Sequence, residues 1–247
     1  MTSIFSLDGK AVLLTGGGRG IGAAMAAGLR DAGAEVTVLE NVLPESLPDG
    51  IRFISVDLAD TDALEAAFNT AVDTMSGLDV LINNAGVTIP GESHLYPDAD
   101  WDKTLAVNLT AVFRLCRMAG ARMIEQQRGG SIINVTSIGA FQGFPCNPAY
   151  GVAKGGVRQL TKALACEWGR HGIRVNCLAP GYTHTPMNEK SWNDPALKAD
   201  RAEHTMLGRW ADPKEMVGPV VFLSSDASSY VTGADLLVDG GWIAKGI

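Results

Sequence analysis

Residues Thr15-Gly16-Gly17-Gly18-Arg19-Gly20-Ile21-Gly22 follow a short apolar run, Ala11 to Leu14. After them comes a stretch rich in Ala, Met and Leu, Ala23 to Arg30, closed by Gly33. The order reads as strand, glycine-rich turn, helix. Glycine is required where a backbone bends sharply or must approach a ligand closely. Such a turn aims free N–H groups and the positive end of a helix dipole at a phosphate. A flexible linker is the bland alternative, but a linker does not join a buried-strand pattern to an alanine-rich helix. The spacing is Gly-x-x-x-Gly-x-Gly, which differs from the usual Gly-x-Gly-x-x-Gly dinucleotide fingerprint.

The rest of the chain repeats the opening alternation. Strand patterns are expected at 35–39, 51–56, 131–135, 174–179 and 236–238, with a fourth strand ending at Asn83. Helical patterns cover 63–75, 101–126, 149–170 and 213–224. Strands separated by helices predict an α/β fold, a doubly wound parallel sheet. The 247 residues show no Pro/Ser/Gly-rich linker and no repeat, so residues 1–247 read as one domain. Only Asn41 to Gly50, with Pro44 and Pro48 inside, bridges the second and third strands. That is short for a parallel crossover, and a loop or single helical turn is expected there.

A net charge of −7 with no basic cluster argues against nucleic acid or anionic membranes as partners. Met1 to Lys10 lacks the apolar core of a signal peptide. Residues 129–153 are uncharged, yet Asn134, Gln142, Asn147 and several Gly and Pro exclude a membrane helix. Cys116, Cys146, Cys166 and Cys177 have neither metal-ligand nor redox spacing. Free thiols in a cytoplasmic protein without a bound metal are the simplest reading.

Tyr150 and Lys154 stand four apart, which puts both on one face of a helix. A free phenol, with a pKa of about 10, is a poor base at neutral pH. A neighbouring ammonium and a positively charged cofactor ring would favour its ionised form. Ser137, thirteen residues earlier, supplies a hydroxyl that can hold a substrate oxygen. Glu40 closes the second strand, about 20 residues past the glycine turn, where an acid binds the adenosine ribose hydroxyls. Its carboxylate would repel the extra phosphate of NADP, so NAD is favoured over NADP.

Thr15-Gly-x-x-x-Gly20-Ile-Gly22, Asp57, Asn83-Asn84-Ala85-Gly86, Asn108, Ser137, Tyr150/Lys154, Pro180-Gly181 and Asp239-Gly240-Gly241 occur in order nearly end to end. In this the chain resembles the short-chain dehydrogenase/reductase family, which implies a Rossmann-type fold and an NAD(P)-dependent enzyme acting on CH–OH groups. The resemblance implies Asn108, Ser137, Tyr150 and Lys154 as the catalytic set, with Asn108 interrupting a helix and holding a relay water. It places Gly16, Arg19, Gly20, Ile21, Glu40, Asp57, Leu58, Asn84, Ala85, Gly86, Tyr150, Lys154, Pro180, Gly181, Thr183 and Thr185 against the cofactor. A basic residue at the position of Arg19 often accompanies NADP use in the family, in tension with Glu40. For Asp57 a helix cap is the alternative role. The resemblance also implies a homotetramer built on the two long helices, whose Val112, Leu115, Met118, Val157, Leu160 and Leu164 suggest apolar surface on more than one face.

From Pro186 to Leu207 the pattern turns irregular and polar, which reads as a substrate lid over about 186–207. Ser137, Gln142, Tyr150, His184 and Trp192 are the candidate substrate contacts. Phe141-Gln142-Gly143, Gly208-Arg209-Trp210 and Trp242 are similar to sugar-acid members, such as 2-deoxygluconate and gluconate dehydrogenases. The leading reading is an NAD-dependent dehydrogenase of a sugar, sugar acid or polyol. An NADP-dependent 3-oxoacyl-thioester or other carbonyl reductase is the second reading, and a nonenzymatic dinucleotide-binding regulator the third. Lys190, Lys198, Arg201 and His204 lie within the lid and His184 just before it. Glu189, Asp194, Asp200 and Glu203 share the segment as surface partners, but one cation folded inward would suit an anionic substrate.

Overall fold

The computed structural model describes residues 3–42 and 48–245. Seven strands form one all-parallel sheet: β1 (Ala11–Thr15), β2 (Glu35–Glu40), β3 (Ile51–Ser55), β4 (Val80–Asn83), β5 (Gly130–Val135), β6 (Ile173–Pro180) and β7 (Asp235–Val238). Their order is β3-β2-β1-β4-β5-β6-β7. The helices are α1 (Gly20–Asp31), α2 (Thr61–Thr74), α3 (Asp98–Leu105), α4 (Ala111–Gln126), α5 (Pro148–Trp168), α6 (Glu189–Asn193), α7 (Pro195–His204) and α8 (Val217–Ser224). The doubly wound parallel sheet is as the sequence predicts.

β1 shows why the strand patterns lack alternation. Both faces of the sheet are covered, so all five of its residues are buried. Ala11 and Leu13 enter one core with residues of α2, α4 and α5, while Val12 and Leu14 enter the other with residues of α1 and α8. Each fully buried leucine contributes about 1.5–3 kcal/mol of transfer free energy. Strand order reverses beside β1, whose neighbours are β2 and β4, and Thr15 there is level with Asn83. Ligands of such sheets sit at the carboxyl ends of the strands at this switch point.

The pattern at 101–126 is α3 and α4 joined by a π-helical turn, Ala106–Thr110, with Asn108 buried inside it, the interruption of the helix that the resemblance implies. Segment 186–207 is less irregular than its composition suggests. It holds α6 and α7, because Asp194 caps α7 by accepting from Ala196 and Leu197 N–H, and Pro195 takes the first turn, where its missing N–H costs nothing. Of the six apolar residues read as lying on more than one face, Val112, Leu115, Val157 and Leu164 are in the core, and partly buried Met118 and Leu160 pack on it. Outward on the same helices are Phe113 and Val152. Between β2 and β3, positions 43–47 lie outside the described residues, so the loop expected at 41–50 is described only at its ends.

Candidate active site

The glycine turn is fixed by close contacts. Gly16 and Gly20 have φ of 69° and 55°, the left-handed region. A Cβ on Gly22 would lie 1.8 Å from the Gly16 carbonyl oxygen and 2.6 Å from Asn84 Nδ2. Asn84 Nδ2 donates to the carbonyls of Gly16, at 2.8 Å, and Thr15, at 3.1 Å. Thr15 Oγ1 accepts from the N–H groups of Asn84 and Ala85 at 3.1 and 3.0 Å. Asn84 thus braces the turn with its side chain. Sequence reasoning assigns Thr15 no role of its own, yet its hydroxyl ties β1 to the end of β4.

Arg19 is the N-cap residue of α1 and makes no side-chain capping bond. The first N–H groups of α1, Ile21 included, therefore have no side-chain cap, which suits a phosphate. Glu40 ends β2 beside this turn. Its Oε2 accepts from Gly18 N–H at 3.4 Å and its Oε1 from Asn41 N–H at 3.1 Å. Asp57 is exposed and its Oδ1 accepts from Ala59 N–H at 2.9 Å, while half-buried Leu58 packs on the core. The cap of α2 is Asp60, not Asp57. Thr185 comes in from the segment after β6: a Cβ on Gly20 would lie 3.3 Å from its Cβ and Cγ2.

The second cluster lies beyond β4 and β5. Lys154 of α5 is buried, and its Nζ donates to the Val135 carbonyl at 2.8 Å and lies 5.7 Å from the centre of the Tyr150 ring. A Cβ on Gly86 would sit 3.3 Å from Asn108 Oδ1 and 3.7 Å from Lys154 Nζ, so all three meet. Asn108 uses both ends of its amide: Oδ1 accepts from Val87 N–H at 2.9 Å and Nδ2 donates to the Val87 carbonyl at 2.8 Å. Ser137 Oγ accepts from Gly139 N–H at 3.1 Å.

Burial sets the proton affinities here. It pulls the Lys154 ammonium down to about 8. It pushes the Tyr150 phenol above its ordinary value, the Ser137 hydroxyl opposing that and nearby Tyr182 adding to it. Burial thus opposes ionisation of the phenol, and the Ser137 hydroxyl favours it.

The far side is aromatic. Gly181 follows β6, with its N–H on the Val238 carbonyl at 3.0 Å and its Cα facing Asp239, and Pro180 pairs with Val238. Thr183 is buried and bridges to Ala211; Thr185 forms a capping box with Asn188. His184 stacks on Trp192 with centroids 4.0 Å apart, and its Nε2 lies 3.2 Å from Glu189 Oε2. Gln142 is exposed and lies apart from these contacts. Tyr182, missed in the sequence, packs against Trp210, at 5.1 Å, and Trp242, at 5.0 Å. Its place directly after Pro180-Gly181 is the one signal that could have found it.

A family model described as enoyl-(acyl carrier protein) reductase matches residues 16–243. The chain is 37% identical over 250 residues to a 2-dehydro-3-deoxy-D-gluconate 5-dehydrogenase of Escherichia coli (strain K12), covering 98% of this chain and 99% of that protein. It is 39% identical over 248 residues to a gluconate 5-dehydrogenase of Gluconobacter oxydans (strain 621H), with 96% of each covered. Among solved structures, it matches a gluconate 5-dehydrogenase from Burkholderia cenocepacia J2315 in complex with NADP and tartrate. There the TM-score is 0.91, the identity 32% and the coverage 98% of each chain.

Proposed function

The chain belongs to the short-chain dehydrogenase/reductase family, enzymes acting on CH–OH groups, and on that premise we propose that it oxidises a secondary alcohol of a sugar acid with NAD. The observation that carries the reading is the meeting of Lys154, Asn108 and Gly86 beside Tyr150 and Ser137. A screen of sugar acids, sugars and polyols with NAD and NADP tests it. Turnover only of acyl thioesters with NADPH would leave the second reading in its place.

In this reading Gly16, Arg19, Gly20 and Ile21 hold the pyrophosphate, Glu40 the adenosine ribose, and Asp57 and Leu58 the adenine. Asn84, Ala85 and Gly86 line the middle of the dinucleotide, and Pro180, Gly181, Thr183 and Thr185 its nicotinamide end. The cradle that only a glycine at position 22 permits suits such a group. When bound, the oxidised ring supplies the hydride acceptor and a positive charge beside the phenol. Ser137 holds the substrate oxygen and Tyr150 removes the hydroxyl proton. Lys154 holds the ribose and adds its charge to the phenolate. Because the Asn108 side chain is committed to Val87, a relay water falls to the main-chain carbonyl of Asn108 in the π turn.

Preference for NAD follows from the Glu40 carboxylate at the Gly18 N–H, where a ribose phosphate would meet like charge. Glu40→Ser should lower the NAD to NADP ratio of kcat/KM by about tenfold or more. An unchanged ratio, or a wild-type enzyme that prefers NADP, removes this assignment and leaves Arg19 dominant.

Residues 186–207 act in this reading as the lid, α6 and α7 closing over the substrate, with Trp192 of α6 stacked on His184. Gln142, exposed beside the Ser137 turn, is the weakest of the proposed contacts. A homotetramer through α4 and α5, on which Phe113 and Val152 are 44% and 52% exposed, belongs to this reading. Light scattering at micromolar concentration should give four times the chain mass, and a monomer would contradict it. Four free cysteines suit a cytoplasmic enzyme. Among the described residues no helix is long and apolar enough to cross a membrane.

A further inference from the structure

The five cations around the lid have different surroundings. His184 is already answered by Glu189. Lys190 and His204 are exposed, the latter packing on Trp242 with centroids 4.2 Å apart. Lys198 caps the Trp192 ring at 3.4 Å. Arg201 of α7 is half-buried, its guanidinium carbon 4.8 Å from the centre of the Tyr182 ring. Its Nε is buried with no hydrogen-bond partner, and Nη1 makes only a long bond, 3.4 Å, to the Leu197 carbonyl. No carboxylate among the described residues pairs with it.

A chain of contacts links this guanidinium to the reacting end. A Cβ on Gly139 would lie 3.6 Å from both Phe144 and Ser137 Oγ and 3.7 Å from the Tyr150 ring, so these three converge. The Phe144 ring then meets Tyr182 edge-on, centroids 6.5 Å apart, and Arg201 lies over Tyr182. A guanidinium on an aromatic face keeps its donors free at its edge, in the fork that matches a carboxylate. Apart from the long Nη1 bond, the Nη groups of this guanidinium have no partner among the described residues, which leaves them for an anion.

We propose that Arg201 binds the carboxylate of the substrate, at the opposite end of a polyhydroxy chain whose CH–OH lies at Ser137 and Tyr150. The inference rests on the sugar-acid reading above. Arg201→Met keeps an apolar stem over Tyr182 without the charge; Arg201→Lys keeps the charge without the fork. Each is assayed on hexonates and their matching alditols, with NADH titration as the check on folding. Arg201→Met should lower the acid to alditol ratio of kcat/KM by about 10- to 100-fold, chiefly through KM, and Arg201→Lys by less. Wild-type KM for the acid should rise with salt while that for the alditol does not. Tartrate should inhibit the wild type more strongly than Arg201→Met. A wild-type enzyme that prefers alditols overturns both readings. One that prefers acids, and keeps that preference in Arg201→Met, overturns the Arg201 assignment alone. If Arg201→Met does not fold, an acid KM insensitive to salt in the wild type overturns it as well.

Discussion

Tyr150→Phe should lower kcat about 10²- to 10⁴-fold while the variant still binds NADH. The substitution keeps the ring in place and deletes only the oxygen that exchanges a proton with substrate. The phenol is bonded by the Ser137 hydroxyl, and Lys154, the other ionisable group beside it, is tied to the Val135 carbonyl. The pH dependence has a direction. Oxidation needs the phenolate, and burial raises the Tyr150 pKa, so alcohol oxidation should gain rate as pH rises from neutrality. Carbonyl reduction needs the phenol and should not gain rate on that limb. Lys154, near 8, loses its charge over the same range and flattens the rise. Steady-state rates in both directions, with NADH fluorescence titration, decide the matter. A Phe variant within about threefold of wild-type turnover would falsify the role assigned to Tyr150.

Much of this arrangement is legible in the sequence because it depends on local spacing. Tyr150 and Lys154 share a face through helical periodicity, and the glycine turn reads from the run of glycines between an apolar strand and a helix. The strands read as uninterrupted apolar runs because both sheet faces are covered, as in β1. Those signals lie within a few residues of one another.

What spacing conceals is contact between distant segments. The hydroxyl of Thr15 reaches Asn84, sixty-nine positions away, and nothing near Thr15 announces it. By spacing alone Asn108 reads as a polar residue in a helix; the resemblance marks the interruption there, but the bonds to Val87 belong to tertiary structure. The apolar excess on α4 and α5 looks like partner surface in a linear pattern, but most of it covers the sheet. Arg201 is one of five cations in its stretch of chain, and only the fold lays it on Tyr182. The segment 186–207 reads as irregular and polar by composition, yet within it Asp194 and Pro195 start α7 by capping chemistry.

Gly22→Ala should abolish measurable NADH binding, a loss of at least about 100-fold, and destabilise the fold by about 2–4 kcal/mol. The added Cβ would lie 1.8 Å from the Gly16 carbonyl oxygen, far inside van der Waals contact. Gly16 cannot retreat freely, since its own Cα faces Ala85, where a Cβ on Gly16 would meet Ala85 Cα at 2.7 Å. Nor can Asn84 yield without cost, because its Nδ2 holds both the Thr15 and Gly16 carbonyls. Relief therefore means lifting the turn away from β4 and tilting the N-terminus of α1, which displaces the N–H groups proposed to hold the pyrophosphate. Thermal denaturation and NADH titration measure the two effects. Asn84→Ala is the milder companion, removing the two side-chain bonds without a clash, and should weaken NADH binding with a smaller loss of stability. If Gly22→Ala is folded and binds NADH as the wild type does, or if it fails to fold and Asn84→Ala binds NADH normally, the dinucleotide does not rest on this turn.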